Sequence, residues 1–516
     1  MTSQRKPVLI VGAGPVGLLI ANGLAANNVP FDIVDKKTGP SSESKGLAIN
    51  ISSQSAFKLC GVNDPIGNSG CKIKRLDIHW NRHRFSSINF SHLSTARNYL
   101  ITQPQWVTEQ ELINSLKIHV RWSHELIGLQ QESSGVVAHL QTEEGEVSEQ
   151  YEYVVGCDGK YSKVRSYISR DEEFTQYDMH FVLGDFQLEQ QVPRDTVQYQ
   201  VFSDAFFILV PISNELTRVV VKYDGPPPDR PVQSADIVDY VNKYTETPLI
   251  KHNSNWISRA PFYNAVSSRM QSGRLFIAGD AAHLFSPIGG TGMNTGFQDA
   301  INLLWRLTYL YRGYASRALL NFYEEERVPA NRSGMITADI NTKNIADVSK
   351  AKEFIDAIAP VISNRSNLRF NLPAAISGYT YTLGSIGGHP DRVGHYDSAL
   401  CDYILEHKPN QKEPHQFKHS LLINESDINR ETSNRVVEQC LSYGFIDVLI
   451  IEADEKSIIK QHLQDTYTLL RPDGVIELEC CHLDHNFIFD YLNVNYKANI
   501  DSAIEDKQSE NGLLAL

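Results

Sequence analysis

Three glycines near the beginning of the chain, Gly12, Gly14 and Gly17, have the spacing G-x-G-x-x-G that accommodates the pyrophosphate of a nucleotide cofactor. In such a loop the first glycine allows a tight turn, the second lets the backbone approach the phosphates, and the third lets a helix pack closely on a strand. Pro15 and Val16 fill the remaining loop positions. The phosphates would lie at the positive N-terminal end of the following helix. The spacing therefore predicts a dinucleotide site.

The flanking residues supply the elements that position this loop. Residues 7–11 form a continuous apolar run, as expected of a strand that is buried on both faces. Residues 18–27 predict a helix and residues 31–35 a second strand, which completes a β-α-β unit. Asp35 ends that strand, where a carboxylate can accept hydrogen bonds from an adenosine ribose. Asp35 and its neighbour Lys36 are therefore candidate cofactor-binding residues.

Two further motifs lie later in the chain, each directly after an apolar run that predicts a strand. The first is the Asp-Gly pair at 158–159, and the second is the Gly-Asp pair at 279–280. The second motif continues to the glycine-rich residues 289–296, which begin a long amphipathic helix. Between the motifs, residues 181–223 contain several strand-like runs, which predict a sheet inserted between two parts of a nucleotide-binding fold. The candidate cofactor-binding residues of these motifs are Asp158, Gly159, Arg165, Asp280, Pro287, Gly292, Met293 and Asn294.

Composition limits the class of protein. A chain of 516 residues suggests roughly three domains. Its formal net charge of -13 argues against binding to nucleic acid or to an anionic membrane surface. We find no run of about 18 apolar residues that would predict a transmembrane segment. The seven cysteines have no C-x-x-C pair or metal-ligand spacing, which predicts a reduced, cytoplasmic protein without a metal site.

Together, the three motifs resemble those of the FAD-dependent aromatic hydroxylases, the group A flavoprotein monooxygenases typified by para-hydroxybenzoate, phenol and polyketide hydroxylases. The resemblance spans about residues 7–335. It implies FAD as the cofactor, NADPH or NADH as a transient co-substrate, and O2 and a phenolic or polyketide-like aromatic molecule as substrates. It also implies that a flavin C4a-hydroperoxide hydroxylates the aromatic ring, so that the cofactor carries the difficult chemistry.

The resemblance assigns roles to residues of the two later motifs. Asp280 would hold the ribityl hydroxyl groups, and the backbone amides of residues 292–294 would face flavin N1 and O2. The positive end of a helix dipole there would stabilise the anionic reduced ring. Asp158 and Arg165 are candidates for contact with either nucleotide.

Three weaker matches add to the cofactor site. Lys45 lies where the family usually has an arginine near the flavin and pyrophosphate. Gln105 lies in a P-Q-x-x-T-E helix start and would contact the ribityl region. Leu126 would bracket the adenine through its backbone amide and carbonyl.

The expected fold class is α/β, with a Rossmann-like FAD-binding fold, an inserted β-sheet substrate domain and a thioredoxin-like C-terminal domain. The FAD-binding domain would occupy residues 1–175 and 273–385, the substrate domain 176–272 and the C-terminal domain 390–516. The last assignment depends on residues 467–475, YTLLRPDGV, which are similar to the L-x-R-P-D-G strand and turn of phenol- and polyketide-type hydroxylases. Because this domain lacks C-x-x-C, we expect it to be redox-inactive and to serve as a lid or in a homodimer.

The sequence does not single out a catalytic base. Tyr223 and Tyr263 fall in the inserted sheet or its return, where aromatic side chains would line a pocket or pack in a core. Arg218 could pair with an acidic substrate, although a solvated strand position explains it more simply. Pro287 of the Gly-Asp motif is a further candidate catalytic residue, whereas His283 of the same motif is expected to be structural.

Other functions remain open at the level of sequence. A flavin-dependent epoxidase or Baeyer-Villiger-type enzyme of secondary metabolism would use the same cofactor site. A flavin-dependent halogenase would usually carry a W-x-W-x-I-P segment, whereas the five tryptophans of this chain are isolated. A catalytically silent flavoprotein scaffold is the non-enzymatic alternative.

Overall fold

A computed structural model describes the chain in segments. The described residues are 6–41, 46–62, 70–93, 95, 97–169, 175–189, 192–223, 230–246, 254, 256–286, 290–345, 380–382, 394–407, 417–424, 430–451, 463, 467–480 and 485–497.

The first part of the chain forms the predicted β-α-β unit and the strands that follow it. Its elements are β1 (Lys6–Val11), α1 (Pro15–Ala26), β2 (Phe31–Val34), β3 (Ala48–Ile49), α2 (Ile51–Leu59), β4 (Cys71–Ile73), β5 (Arg75–Trp80), β6 (His83–Asn89), β7 (Leu100–Thr102), α3 (Gln105–Ser115), β8 (Glu125–Glu132), β9 (Gly135–Thr142) and β10 (Gly145–Gly156). Proline suits the first position of α1, because its fixed φ is helical and its missing N–H has no partner there in any case.

The middle of the chain contributes most of a second sheet and then two long helices. The elements are β11 (Thr175–Gln187), β12 (Thr196–Val201), β13 (Phe206–Pro211), β14 (Leu216–Tyr223), α4 (Ser234–Lys243), β15 (Ile257–Val266), β16 (Gln271–Ser272), β17 (Leu275–Ile277), β18 (His283–Leu284), α5 (Thr291–Arg312) and α6 (Asn321–Ile345).

The remaining described strands and α-helices lie after residue 379. They are β19 (Thr380–Thr382), β20 (His395–Asp397), α7 (Ser398–His407), β21 (His419–Asn424), α8 (Arg430–Leu441), β22 (Ile446–Ile451), β23 (Tyr467–Leu470), β24 (Ile476–Cys480) and α9 (His485–Leu492). We call the elements from β20 to α9 the C-terminal unit.

The nucleotide-type sheet has the order β16-β17-β10-β1-β2, and its central strands β17, β10, β1 and β2 are parallel. The strand-like runs at residues 136–140 and 151–155 predict a hairpin with residues 143–145 in its turn, and this prediction is confirmed, because β9 and β10 pair antiparallel with Val136 opposite Tyr151. Both glycine-bearing loops that follow β1 and β10 therefore leave the sheet at the same edge, where open α/β sheets bind ligands.

The second sheet has the order β18-β15-β11-β14-β13-β12-β5-β6. It takes two of its strands, β5 and β6, from residues 75–89, which precede the segment that the sequence assigned to this sheet. One face packs on α4 through Ile237 and Val241. The other face shares an apolar cluster with Ile51 of α2 and Leu100 of β7, so it lies against the nucleotide-binding part of the molecule.

The C-terminal unit contains a four-stranded sheet of order β22-β21-β23-β24. Strands β21 and β22 are parallel and are joined through α8, whereas β23 is antiparallel to both of its neighbours. The fold as a whole is mixed α/β, as predicted.

The helix α5 differs from the sequence-based expectation. An amphipathic helix generally leaves its polar face in water, but every residue of α5 from Gly296 to Tyr309 is buried. The reason is that α6 and the C-terminal unit cover its polar face and pair with its polar side chains, as described below.

Candidate functional site

The loop between β1 and α1 has the geometry that its three glycines predict. Gly12 has a positive φ of 104°, and a Cβ there would lie 2.3 Å from the Cys157 carbonyl oxygen. A Cβ at Gly17 would lie 2.0 Å from the Gly12 carbonyl oxygen, which leaves room only for glycine. A Cβ at Gly14 would meet no heavy atom within 4 Å. Two glycines are therefore required by packing, and the third opens a space at the N-terminus of α1 that a pyrophosphate would fill.

Asp35 follows β2 and closes the loop from the opposite side. Its Oδ2 accepts a hydrogen bond from the Ala13 amide (2.7 Å), and its Oδ1 accepts one from the Lys37 amide (2.9 Å). A carboxylate has about four acceptor positions, so Asp35 can hold the loop and still accept ribose hydroxyl groups. Lys36 beside it is exposed.

Asp158 organises the turn that follows β10. Its carboxylate accepts hydrogen bonds from the Ser162 hydroxyl (2.5 Å) and from the amides of Lys163 (2.7 Å) and Val164 (3.3 Å). Burial raises the pKa of Asp158, against the opposing effect of the hydrogen bond from Ser162. Gly159 has a φ of 77°, and a Cβ there would meet nothing within 4 Å. Asp158 thus shapes the turn, and Gly159 faces open space within it.

Arg165 joins the two later motifs to each other. Its guanidinium donates to the Ala281 carbonyl (2.9 Å) and to the Lys160 carbonyl (2.5 Å). The Gly-Asp loop is held from the other side as well, because Gly279, at a φ of 63°, packs on the side chain of Val16. Asp280, the next residue, is exposed. All three sequence motifs therefore meet at one edge of the sheet.

The first turn of α5 presents open backbone at the same place. Gly290, at a φ of 66°, is the N-cap of the helix and, as a glycine, has no side chain that could cap the first turn. A Cβ at Gly292 would meet nothing within 4 Å. This is a second helix N-terminus with space in front of it, and its free amides suit a negatively charged group.

Asn294 anchors this turn through its side chain. Its Nδ2 donates to the carbonyls of Ala48 (2.9 Å) and Gly290 (2.6 Å), and its Oδ1 accepts from the Asn50 amide (2.9 Å) and the Ser53 hydroxyl (2.7 Å). Asn294 can therefore offer only its backbone to a ligand.

Gln105 and Met293 come together around Gly46. The Gln105 Oε1 accepts from the Gly46 amide (2.8 Å), and its Nε2 donates to Glu109 (2.8 Å). The Sδ of Met293 lies near the same glycine. Leu126 is buried in β8, opposite Leu140 of β9. Lys45 lies outside the described residues.

A buried carboxylate that the sequence did not identify as functional connects the Gly-Asp loop with the long helices. Asp299 of α5 accepts from the Gly279 amide (3.1 Å) and His283 Nε2 (2.7 Å) through Oδ2, and from Arg327 Nε (2.8 Å) through Oδ1. Burial alone would raise the pKa of Asp299, but His283 and Arg327 outweigh it and lower the pKa. His283 is fully buried in this network, as expected of a structural residue. The available signal in the sequence was an acidic residue in the helix that continues the Gly-Asp motif.

Comparison with known proteins identifies the family. The sequence model of one family, described as the FAD binding domain, matches residues 5–335. The chain belongs to this FAD-binding family. The 12-dehydrotetracycline 5-monooxygenase/anhydrotetracycline 6-monooxygenase of Streptomyces rimosus is 29% identical over 344 residues, which are 63% of this chain and 67% of that protein. Rifampicin monooxygenase of Streptomyces venezuelae is 30% identical over 332 residues, which are 62% of this chain and 68% of that protein.

A solved structure extends the likeness beyond the FAD-binding region. The anhydrotetracycline hydroxylase of Streptomyces rimosus superposes with a TM-score of 0.74 and 24% identity, covering 96% of this chain and 99% of that one. At this identity the likeness shows the fold. The resemblance to FAD-dependent aromatic hydroxylases that the motifs indicated is confirmed, and so is the assignment to the flavoprotein monooxygenases, since both sequence relatives are named monooxygenases.

Of the residues weighed as catalytic in this flavoprotein, Arg218 and Tyr263 have described side chains, and each is engaged by another residue of the chain. Arg218 is fully buried, so a solvated strand position is wrong for it: its guanidinium donates to both oxygens of Asp185 (2.7 and 2.9 Å) and stacks on Trp256. This pairing satisfies its charge within the sheet, which argues against an acidic substrate as its partner. The ring of Tyr263 lies under the ammonium group of Lys160, 3.2 Å from nitrogen to ring centroid. The side chain of Tyr223 and the whole of Pro287 lie outside the described residues.

Two kinds of feature are absent from the described residues. In that part of the flavoprotein, no helix combines the length and the apolar character needed to cross a membrane. The same residues contain no group of three or more His, Cys, Asp or Glu side chains that could hold a metal ion.

Proposed function

We propose that the protein is an FAD-dependent monooxygenase that uses NADPH or NADH and O2 to hydroxylate a phenolic or polyketide-like aromatic substrate. One observation carries the proposal: two helix N-termini, at Gly14 and at Gly292, open into free space at the edge of the sheet where all three motifs meet. One opening suits the pyrophosphate and the other an anionic ring. When bound, FAD supplies the redox chemistry and the activation of oxygen.

The residues present fit this cofactor. The backbone at Gly14 would receive the pyrophosphate, and Asp35 would accept hydrogen bonds from the ribose. Asp280, exposed at the end of the Gly-Asp loop, would bind the ribityl hydroxyl groups. The amides of Gly292 and Met293 would stabilise negative charge on the reduced ring. In this proposal Asp158 and Arg165 hold the loops in register, since their polar atoms bind the surrounding backbone.

The substrate would lie between the second sheet and the first turn of α5. The sheet face that packs with Ile51 and Leu100 carries Tyr199 and Phe206, and these side chains would exclude water from the reacting atoms. Burial raises the pKa of Tyr199 to about 12, so its hydroxyl group stays protonated at neutral pH. Tyr199 would therefore donate a hydrogen bond to a phenolic oxygen rather than act as a base.

We also propose the finer domain assignments, which the sheet order supports. The eight-stranded sheet is the substrate-binding domain inserted within the FAD-binding domain. The order β22-β21-β23-β24, with a parallel pair joined by a helix and an antiparallel pair, supports a thioredoxin-like C-terminal domain. Its role in a homodimer and the cytoplasmic location of the protein stay predictions.

The proposal is tested by purifying the protein, measuring bound FAD by its absorbance, and following NADPH and NADH oxidation with a panel of phenols and aromatic polyketides. The expected result is a yellow protein whose nicotinamide oxidation accelerates with one substrate class. Mass spectrometry should show a product that contains one atom from 18O2, and NMR would separate a hydroxylated ring from an epoxide or a ring-expanded ester. A colourless protein that takes up no FAD would refute the proposal. Chloride-dependent halogenation would instead support the halogenase alternative.

A further inference from the structure

One face of the second half of α5 contacts the C-terminal unit. Asn302, Trp305 and Tyr309 follow the spacing of neighbours on one helix face, and all three are buried. The indole N–H of Trp305 donates to Asp473 Oδ2 (3.1 Å), and the Tyr309 hydroxyl group lies 2.7 Å from His419 Nδ1. The helix whose first turn faces the cofactor is therefore held in its second half by another part of the molecule.

The turn at Arg471 and Asp473 in the C-terminal unit also makes a charged contact with α6. The Arg471 guanidinium donates to both oxygens of Glu326 in α6 (2.7 and 3.1 Å) and to both oxygens of Asp473 (3.0 and 2.6 Å). Such a planar fork fixes direction as well as distance, which a lysine cannot do. The turn is thus locked onto α6 in one orientation.

Glu326 carries the contact from α6 to α5. It accepts from Arg306 Nη2 (2.8 Å) and from Asn302 Nδ2 (2.8 Å). Burial alone would raise the pKa of Glu326, but Arg306 and Arg471 outweigh burial and lower the pKa to about 2. The carboxylate is therefore ionised at neutral pH, and it is shared between Arg306 of α5 and Arg471 of the C-terminal unit.

Arg327, the next residue of α6, connects this helix to the Gly-Asp loop. Arg327 binds Asp299, and Asp299 accepts from the Gly279 amide. Consecutive residues of α6 therefore hold the C-terminal turn and the loop that ends in Asp280. Because a packed helix moves as a rigid element, a shift at Asn302 also moves the first turn of α5.

We propose that Arg471 and Asp473 are positioning residues for the cofactor site: through Glu326 and Trp305 they fix α5 and α6, and so place residues 279–280 and 292–294. This inference rests on the proposed function, since it takes those residues as the ones that bind FAD. It gives the C-terminal unit a role within a single chain.

The test measures FAD affinity rather than turnover. Wild type, Arg471→Met and the milder Arg471→Lys are stripped of FAD, and the dissociation constant for added FAD is measured by flavin fluorescence well below the unfolding temperature. We expect both variants to fold and to bind FAD roughly 3- to 30-fold more weakly, the range of coupling between sites of this kind. The effect of Arg471→Met should largely vanish in a Glu326→Gln background, because the two residues act as one unit.

The control is a variant that weakens the C-terminal unit from its other side. Leu422 is buried in β21, and strand alternation places it on the sheet face opposite His419. Leu422→Ala should lower the unfolding temperature and leave FAD affinity within twofold of wild type. If Leu422→Ala weakens FAD binding as much as Arg471→Met does, or if neither Arg471 variant changes the affinity, the positioning role is wrong. If wild type itself does not bind FAD, the proposed function fails instead.

Discussion

The two halves of α5 differ in which groups they present: backbone amides in the first turn and paired side chains in the second half. Its first turn is open backbone: Gly290 in the left-handed region, Gly292 facing free space, and no side chain that caps the helix. Its second half is closed by side chains, with Asn302 and Trp305 bound to Glu326 and Asp473. The difference teaches that, in the proposed cofactor site, binding would depend on backbone amides at a helix start, and buried charges some turns away would keep that start in place.

The two halves of α5 also differ in the free energy that their polar groups cost. Open amides cost little in water, since solvent satisfies them until a ligand arrives. A buried carboxylate or guanidinium costs several kcal/mol unless it is paired. Variants of the closed half should therefore lower stability, whereas variants of the open half should lower cofactor affinity and leave stability almost unchanged.

The largest effect is expected at Asp299, where the two halves meet. Asp299→Asn should lower the free energy of unfolding by about 3–5 kcal/mol, because it leaves the buried Arg327 without its counter-charge. Urea unfolding measured with and without FAD gives this value. Glu431→Gln is the matched control, since its ion pair with Arg435 is exposed and should contribute nothing measurable. A small change at Asp299 would mean that this pair does not support the closed half.

Substitutions of the glycines in the first loop should give the next largest effect. They separate stability from cofactor affinity, because Gly17 is required by packing and Gly14 is not. Gly17→Ala should destabilise the protein by about 3 kcal/mol or more, because its Cβ would meet the Gly12 carbonyl oxygen. Gly14→Ala has free space and an ordinary φ of -77°, so its unfolding curve without FAD should match that of wild type.

The same Cβ at Gly14 would occupy the space assigned to the pyrophosphate. We expect FAD affinity to fall roughly 100-fold, or about 2.7 kcal/mol. Titration of the stripped protein measures this. Equal FAD affinity in Gly14→Ala and wild type would contradict the placement of the pyrophosphate.

The parts of the molecule that the sequence predicted are those encoded locally. The glycine loop, the strand ending at Asp35 and the helix after Gly290 each depend on a few adjacent residues, so spacing alone was sufficient. The hairpin of residues 136–155 was predictable for the same reason.

The parts that it missed depend on partners distant in the chain. Arg218 appeared solvated because strand alternation cannot reveal that Asp185 lies opposite it in β11. The polar residues of α5 suggested an exposed face because the carboxylates that permit their burial lie elsewhere: Glu326 is in α6, and Asp473 follows about 170 residues later. An ion pair between remote segments leaves no periodic signal in either of them.

The smallest predicted effect concerns Tyr263 of β15, whose ring makes a side-chain contact with the turn after the Asp-Gly pair. Lys160, which follows the Asp-Gly pair, lies over its ring, so the contact links that turn to β15 of the second sheet. Tyr263→Phe keeps the ring, and we expect unchanged stability and substrate-dependent NADPH oxidation within twofold of wild type. Tyr263→Leu removes the cation–π interaction and should cost about 0.5–1 kcal/mol. A loss of more than tenfold in turnover by Tyr263→Phe, with stability unchanged, would show that the hydroxyl group takes part in the chemistry. The reaction would then depend on a side chain of the second sheet as well as on the backbone of the first turn of α5.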